Sequence, residues 1–147
     1  MALDEKFTPA LIDHVGWRLW RLARQWKVEF DGEMQRRSYP WVAEARGGVV
    51  GHLRPGGRPQ SELAGLLGVS KQAVQQFVDE LVREGAVGRI VDPADARGRI
   101  VQLTARGVAF LEEGNRVKRQ IEARYARRIG RIRLQALNDA LDELARE

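Results

Sequence analysis

Leu11, Val15, Leu19, Leu22, Trp26 and Phe30 recur at spacings of four and three. One apolar stripe at that period predicts a long amphipathic helix ending within residues 30–35. Thr8 can cap its start, and Pro9 sits where the first helical position tolerates proline. Trp17 and Trp20 widen the apolar surface beyond one narrow face. A helix that wide packs against more than one neighbour, either a second copy of the chain or its own core. Further on, Trp41, Val42, Ala45, Val49, Val50 and Leu53 suggest a second helix, weakened by Gly47, Gly48 and Gly51. The run from Arg54 to Pro59 reads as a loop.

A tighter block follows. Ser61 can cap a short helix carrying Leu63, Ala64, Leu66 and Leu67. Gly68-Val69-Ser70 is a turn, and Ser70 caps a helix over about 71–84 that Gly85 closes. Residues 86–91 and 99–103 read as strands joined by a polar hairpin loop, Asp92 to Gly98. Thr104 caps a further long helix with Val108, Leu111, Ile121, Tyr125, Ile129 and Ile132 in its stripe, and Gly130 is the breaker. In the last helix Leu134, Leu137, Leu141 and Leu144 form a coiled-coil-like seam.

Short helix, glycine-containing turn and second helix make a helix-turn-helix, and the hairpin after it makes a winged one. On helix 71–84, Ala73, Val74, Phe77, Val78 and Leu81 share one side; Gln72, Gln75, Gln76 and Asp79 share the other. Glutamine donates and accepts together, which suits the adenine edge in the major groove. Lys71 lies where helix amides attract phosphate. Arg97 and Arg99 flank Gly98 near the wing tip, suited to a narrow minor groove or to phosphate, and Asp95 can fix an arginine by an ion pair. The DNA-binding candidates are therefore Ser61, Ser70, Lys71, Gln72, Gln75, Gln76, Arg97 and Arg99. An ordinary solvated helix face and an ordinary charged hairpin are the competing readings.

Composition narrows the picture. The chain has 147 residues, enough for one domain with a real core. We divide it into N-terminal helices for dimerisation and support (1–57), a winged helix-turn-helix lobe (58–104) and C-terminal dimerisation helices (105–147). The net charge of +5 favours anionic partners, nucleic acid first. Its distribution is uneven: residues 58–104 carry 6 basic and 6 acidic side chains, so any DNA contacts there are placed locally. Residues 116–133 hold eight basic side chains against the single acid Glu122. That run reads as a solvated face, an interchain ion-pair strip or a long-range attractor, with direct nucleic-acid contact as the alternative. Cysteine is absent, which excludes disulfides, thiol chemistry and cysteine zinc sites. With only His14 and His52, no metal site or cofactor is expected. No apolar run approaches the roughly 18 residues of a membrane span, and the N-terminus lacks a secretory pattern, so the expectation is a cytoplasmic protein with no membrane partner.

The set Ser61-Glu62-Leu63-Ala64, Gly68-Val69-Ser70, Val78-Asp79-Glu80-Leu81, Gly85-Ala86-Val87-Gly88-Arg89, Asp92-Pro93-Ala94-Asp95-Ala96-Arg97 and Leu103-Thr104-Ala105-Arg106-Gly107 resembles the MarR (multiple antibiotic resistance regulator) family. The close match covers about 61–107. The resemblance implies a mainly α fold with a small β-hairpin wing, flanked by N- and C-terminal dimerisation helices. It implies a homodimeric transcription factor, usually a repressor, that binds double-stranded DNA and is in many members released by a small aromatic or anionic effector. The chain departs from the family in its glycine-rich segment 47–57. The residues support the dimer independently: the terminal helices carry more apolar surface than a small wing domain covers, with Leu11, Val15, Leu134, Leu137, Leu141 and Leu144 as interface candidates. A two-fold dimer selects a near-palindromic operator.

His14, Trp17, Arg18 and Trp41, with Trp20, Tyr39 and Arg54 near them in sequence, are candidates for an aromatic, carboxylate-holding ligand pocket. Tryptophans at helical spacing serve equally as core or interface. No nucleophile elbow, phosphate loop or inward pair of carboxylates appears, so an enzyme is not expected. The main rival is a winged-helix protein-interaction module without DNA-binding activity, favoured by the net-neutral lobe.

Overall fold

The structure is a computed structural model that describes residues 11–146. Helix α1 spans Val15–Arg36, α2 Gly47–Gly51, α3 Gln60–Leu67, α4 Lys71–Arg83, α5 Ala105–Ile129 and α6 Arg131–Leu144. Strands β1 (Arg58–Pro59), β2 (Val87–Asp92) and β3 (Asp95–Leu103) form an antiparallel sheet in the order β1-β3-β2. A 3-10 turn, Pro40–Ala43, follows α1. The fold is mainly α with a small β wing. Among the described residues no helix is long and apolar enough to cross a membrane.

Helix α1 starts later than its stripe predicts. Thr8 and Pro9 lie outside the described residues, Leu11 precedes the helix, and the His14 ring caps it by accepting the Trp17 amide at 3.3 Å. The predicted second helix is broken into the 3-10 turn and the five-residue α2. A side chain at Gly47 would meet the Val42 carbonyl at 2.7 Å, so the two pieces approach too closely for anything but glycine. Arg58 and Pro59, read as loop, pair with Val101 and Ile100. Ser61 does not cap α3; Pro59 holds that position and Ser61 lies within the first turn.

The helix-turn-helix follows the local chemistry. Gly68 closes α3 in the left-handed region at φ 65°, and the Ser70 hydroxyl accepts the Ala73 amide at 3.1 Å to start α4. At the far end of α4, Gly85 turns the chain at φ 72°. The Thr104 hydroxyl then does two jobs: it donates to the Gly85 carbonyl at 2.5 Å and accepts the Gly107 amide at 3.2 Å. The Thr104 amide adds a bond to the Ala86 carbonyl at 3.2 Å.

The core gathers Phe30 and Met34 of α1, Trp41, Val49 and Val50, Leu63, the inner face of α4, Val101, and Phe110, Val117 and Ile121 of α5. Trp41 is fully buried, with its ring 4.5 Å from that of Phe110. Helix α5 buries Phe110, Gly114, Val117 and Ile121, whereas Val108, Ile129 and Ile132 from the predicted stripe face outward. Val15, Leu19, Leu22 and Leu144 remain exposed apolar side chains, at 61%, 37%, 39% and 73%. Leu134 is buried, and Leu137 and Leu141 are half-buried.

Candidate nucleic-acid interface

Helix α4 buries Val74, Val78 and Leu81, and that anchor turns Lys71, Gln72, Gln75 and Gln76 to solvent. The wing rises beside it. Pairing of Val91 with Arg99 and of Asp92 with Asp95 leaves Ala96, Arg97 and Gly98 without opposite residues. The wing thus turns at Pro93-Ala94 and bulges at Arg97, a shorter turn than the seven-residue loop predicted. Asp95 does not form an ion pair with an arginine. Its carboxylate accepts the Arg97 backbone amide at 3.0 Å and shapes the bulge. The Arg99 guanidinium folds back on the wing, donating to the Gly98 carbonyl at 2.9 Å. Arg97 extends with no side-chain partner among the described residues, so it is the more available cation of the two.

A cleft of about 330 Å³ separates α4 from the wing. It brings Ser61, Lys71, Gln75, Arg97 and Arg99 together, with Asp92 and Asp95 on its wing side. Ser70, Gln72 and Gln76 do not line it; Ser70 is committed to its cap. Gln76 donates to Glu80 at 3.2 Å, and Gln72 makes no hydrogen bond among the described residues.

Sequence reading passed over the polar residues behind this face. Arg89 of β2 pairs with Asp79 at 2.7 Å and donates to Gln60 at 3.0 Å. Its guanidinium, then the Gln75 amide, hold the Asp79 carboxyl below the usual carboxylate range. Strand alternation carries the signal: Arg89 shares a face with buried Val87, two residues before it. Arg46, just ahead of α2, reaches the same helix and pairs with Glu44 at 2.9 Å, Glu80 at 3.3 Å and Glu84 at 3.7 Å.

The four predicted ligand residues are not brought together. Trp41 is core, His14 is a helix cap, and Arg18 pairs with Asp13. Trp17 stacks on Trp20 along an open groove on α1, at 5.1 Å between rings. A different pocket of about 200 Å³ lies between α1, α2 and α5, walled by Trp26, Phe30 and Phe110, floored by glycines, with Lys27 and Lys118 at its edge. Lys27 is engaged with Asp31 at 2.5 Å, and the Lys118 ammonium lies 5.8 Å from the Phe30 ring. In the basic run, Arg124 pairs with Glu29 and Arg116 with Glu113, tying part of it to structure.

Residues 48–98 match a family model described as MarR family. None of the curated proteins matches the chain. Among solved structures, wild-type MarR from E. coli in its apo form has a TM-score of 0.78 at 20% identity, over 93% of this chain and 100% of that one. Transcriptional regulator Tm0710 from Thermotoga maritima gives 0.68 at 24%, over 88% and 89%. A mutant of S. aureus MepR bound to oligodeoxyribonucleotide gives 0.64 at 17%, over 90% and 96%. At these identities the likeness is one of fold.

Proposed function

We propose that the chain, whose residues 48–98 match the MarR-family model, is a sequence-specific regulator of transcription that binds double-stranded DNA. It acts as a homodimeric repressor at a near-palindromic operator. The observation that carries this reading is the outward face of α4: three glutamines and Lys71 exposed on a helix anchored by Val74, Val78 and Leu81, with Arg97 projecting from the wing beside it. A mutant of MepR, similar in fold, has been captured on an oligodeoxyribonucleotide, which supports the same use of this fold.

Two further features support the finer parts. Val15, Leu19 and Leu22 on α1 and Leu144 on α6 are apolar surface that a second copy would cover, placing two reading helices about one DNA turn, roughly 34 Å, apart. The pocket of Trp26, Phe30 and Phe110, edged by lysines, suits a small aromatic anion as the releasing effector. The protein-interaction reading draws on charges already spent inside the lobe, such as the Arg58–Glu62 and Arg89–Asp79 pairs.

Selection from a randomised duplex pool separates the two. The chain should enrich a near-palindromic motif; no enrichment, together with no salt-dependent duplex binding, moves the assignment to a docking module. Gln76→Ala changes an exposed side chain, so stability should stay within about 0.5 kcal/mol of wild type. A bidentate base contact contributes about 1–3 kcal/mol of discrimination, so preference should relax at symmetric positions in both half-sites. Arg97→Ala should weaken binding to many sequences and lower the salt slope by about one per lost phosphate contact. Unaltered affinity at every salt concentration would remove the wing from the interface.

A further inference from the structure

Gln75 is held from three sides. Gln60, the first residue of α3, donates to its Oε1 at 2.6 Å. Asp79, one turn along α4, accepts from its Nε2 at 3.1 and 3.2 Å through its two oxygens. Arg89 grips both holders, donating from Nε to Gln60 Oε1 at 3.0 Å and pairing with Asp79 at 2.7 Å. Its remaining nitrogen reaches the Gln75 carbonyl at 3.4 Å.

A glutamine amide has two N–H donors and two lone pairs. Here one N–H and one lone pair are used, and one of each remains. Reversing the amide would set its oxygen against the Asp79 carboxylate and its nitrogen against the Gln60 nitrogen. Only one orientation satisfies both neighbours. Gln76 is held at one end only, by Glu80, and Gln72 makes no hydrogen bond among the described residues.

We propose that Arg89 and Gln60 are specificity-determining positioning residues, which fix the Gln75 amide so that its unused N–H and lone pair form a preset bidentate reader of a base edge. The proposal rests on the DNA-reading function above. Adenine presents an N7 acceptor beside an N6 donor, the complement of that pair. A free glutamine must give up rotamer freedom when it binds; this one has surrendered most of it beforehand. Arg89 is committed to Gln60, Asp79 and the α4 backbone, so it acts through Gln75 and not as a phosphate contact.

Arg89→Lys keeps the charge but loses the planar fork that makes these contacts together. Gln60→Ala removes the donor with no change of charge, and it carries the test should Arg89→Lys fold poorly. Wild type, both variants and Gln75→Ala, each as the full chain, are put through selection from a randomised duplex pool. Affinities are then measured for the selected site and its single-base variants. Arg89→Lys and Gln60→Ala should lose on the order of tenfold discrimination at the base pair in each half-site that Gln75→Ala also relaxes. Non-specific affinity and its salt dependence should stay at wild-type values. A merely structural role would degrade all positions together. Wild-type discrimination in both variants, beside a loss in Gln75→Ala, overturns the proposal while leaving DNA reading intact. So does a Gln75→Ala variant that selects the wild-type motif. A wild-type chain that selects no motif removes the DNA-reading function and this proposal with it.

Discussion

Gly107→Ala should destabilise the chain by about 3 kcal/mol or more and lower Tm by roughly 10 °C. The residue is buried in the first turn of α5, and an added Cβ would meet the Ala86 carbonyl oxygen at 2.2 Å and a Leu103 methyl at 3.0 Å. The first of these is backbone, held by the Thr104 amide, and cannot swing aside as a long side chain would. Gly65→Ala is the matched control. It sits exposed within α3, with nothing within 4 Å of the new methyl, and should stabilise by about 0.5–1 kcal/mol through helix propensity. Thermal unfolding of the pair checks both signs. Equal and small effects would show that the α4–α5 junction yields easily.

Changing Leu137 and Leu141 together to Asp should weaken the proposed dimer by roughly 100-fold or more, since unpaired carboxylates in an apolar interface cost several kcal/mol. Both residues are half-buried in the single chain, so part of the cost falls on α6 docking against α5. Val15→Asp separates the two contributions: Val15 is 61% exposed in the chain alone, so its loss acts on association and spares the fold. Sedimentation should show folded monomer for Val15→Asp, and monomer or unfolded chain for the double variant. A folded dimer of unchanged strength in both would remove these helices from the interface.

What was legible in the sequence is what is local. The caps at Ser70 and Thr104, the turns at Gly68 and Gly85, and the break at Gly130 each involve residues within a few positions of one another. The two faces of α4 follow from its period alone. The misses are non-local. Strand β1 exists only because Val101 and Ile100, some forty residues on, supply its partners. The Gln60–Gln75–Arg89 set joins three elements; strand alternation puts Arg89 on the face of buried Val87 but does not name its partners. Helix α5 carries more apolar residues than one face needs, so Val108 and Ile129 were indistinguishable from the buried Phe110 and Val117 until the packing was known. The candidate ligand residues do not gather within the chain for a related reason. Aromatic content identified Trp17 and Trp41, but one lies on open helix surface and the other fills the core.

The Thr104 hydroxyl has a mechanical consequence. It ties the last turn of α4, through Gly85, to the first turn of α5, through Gly107, and the Thr104 amide adds a third tie at Ala86. A helix fastened at one end by a single bond can roll about its own axis; three ties within one turn remove that freedom. Helix α4 and the 25-residue α5 are thereby coupled as one lever, whose short arm is the face proposed above to meet DNA. In a two-fold assembly the separation of the two reading helices is then a property of how the long arms cross. A small angular change at that distant crossing translates both short arms, out of step with the groove repeat, without any rearrangement inside the winged helix itself.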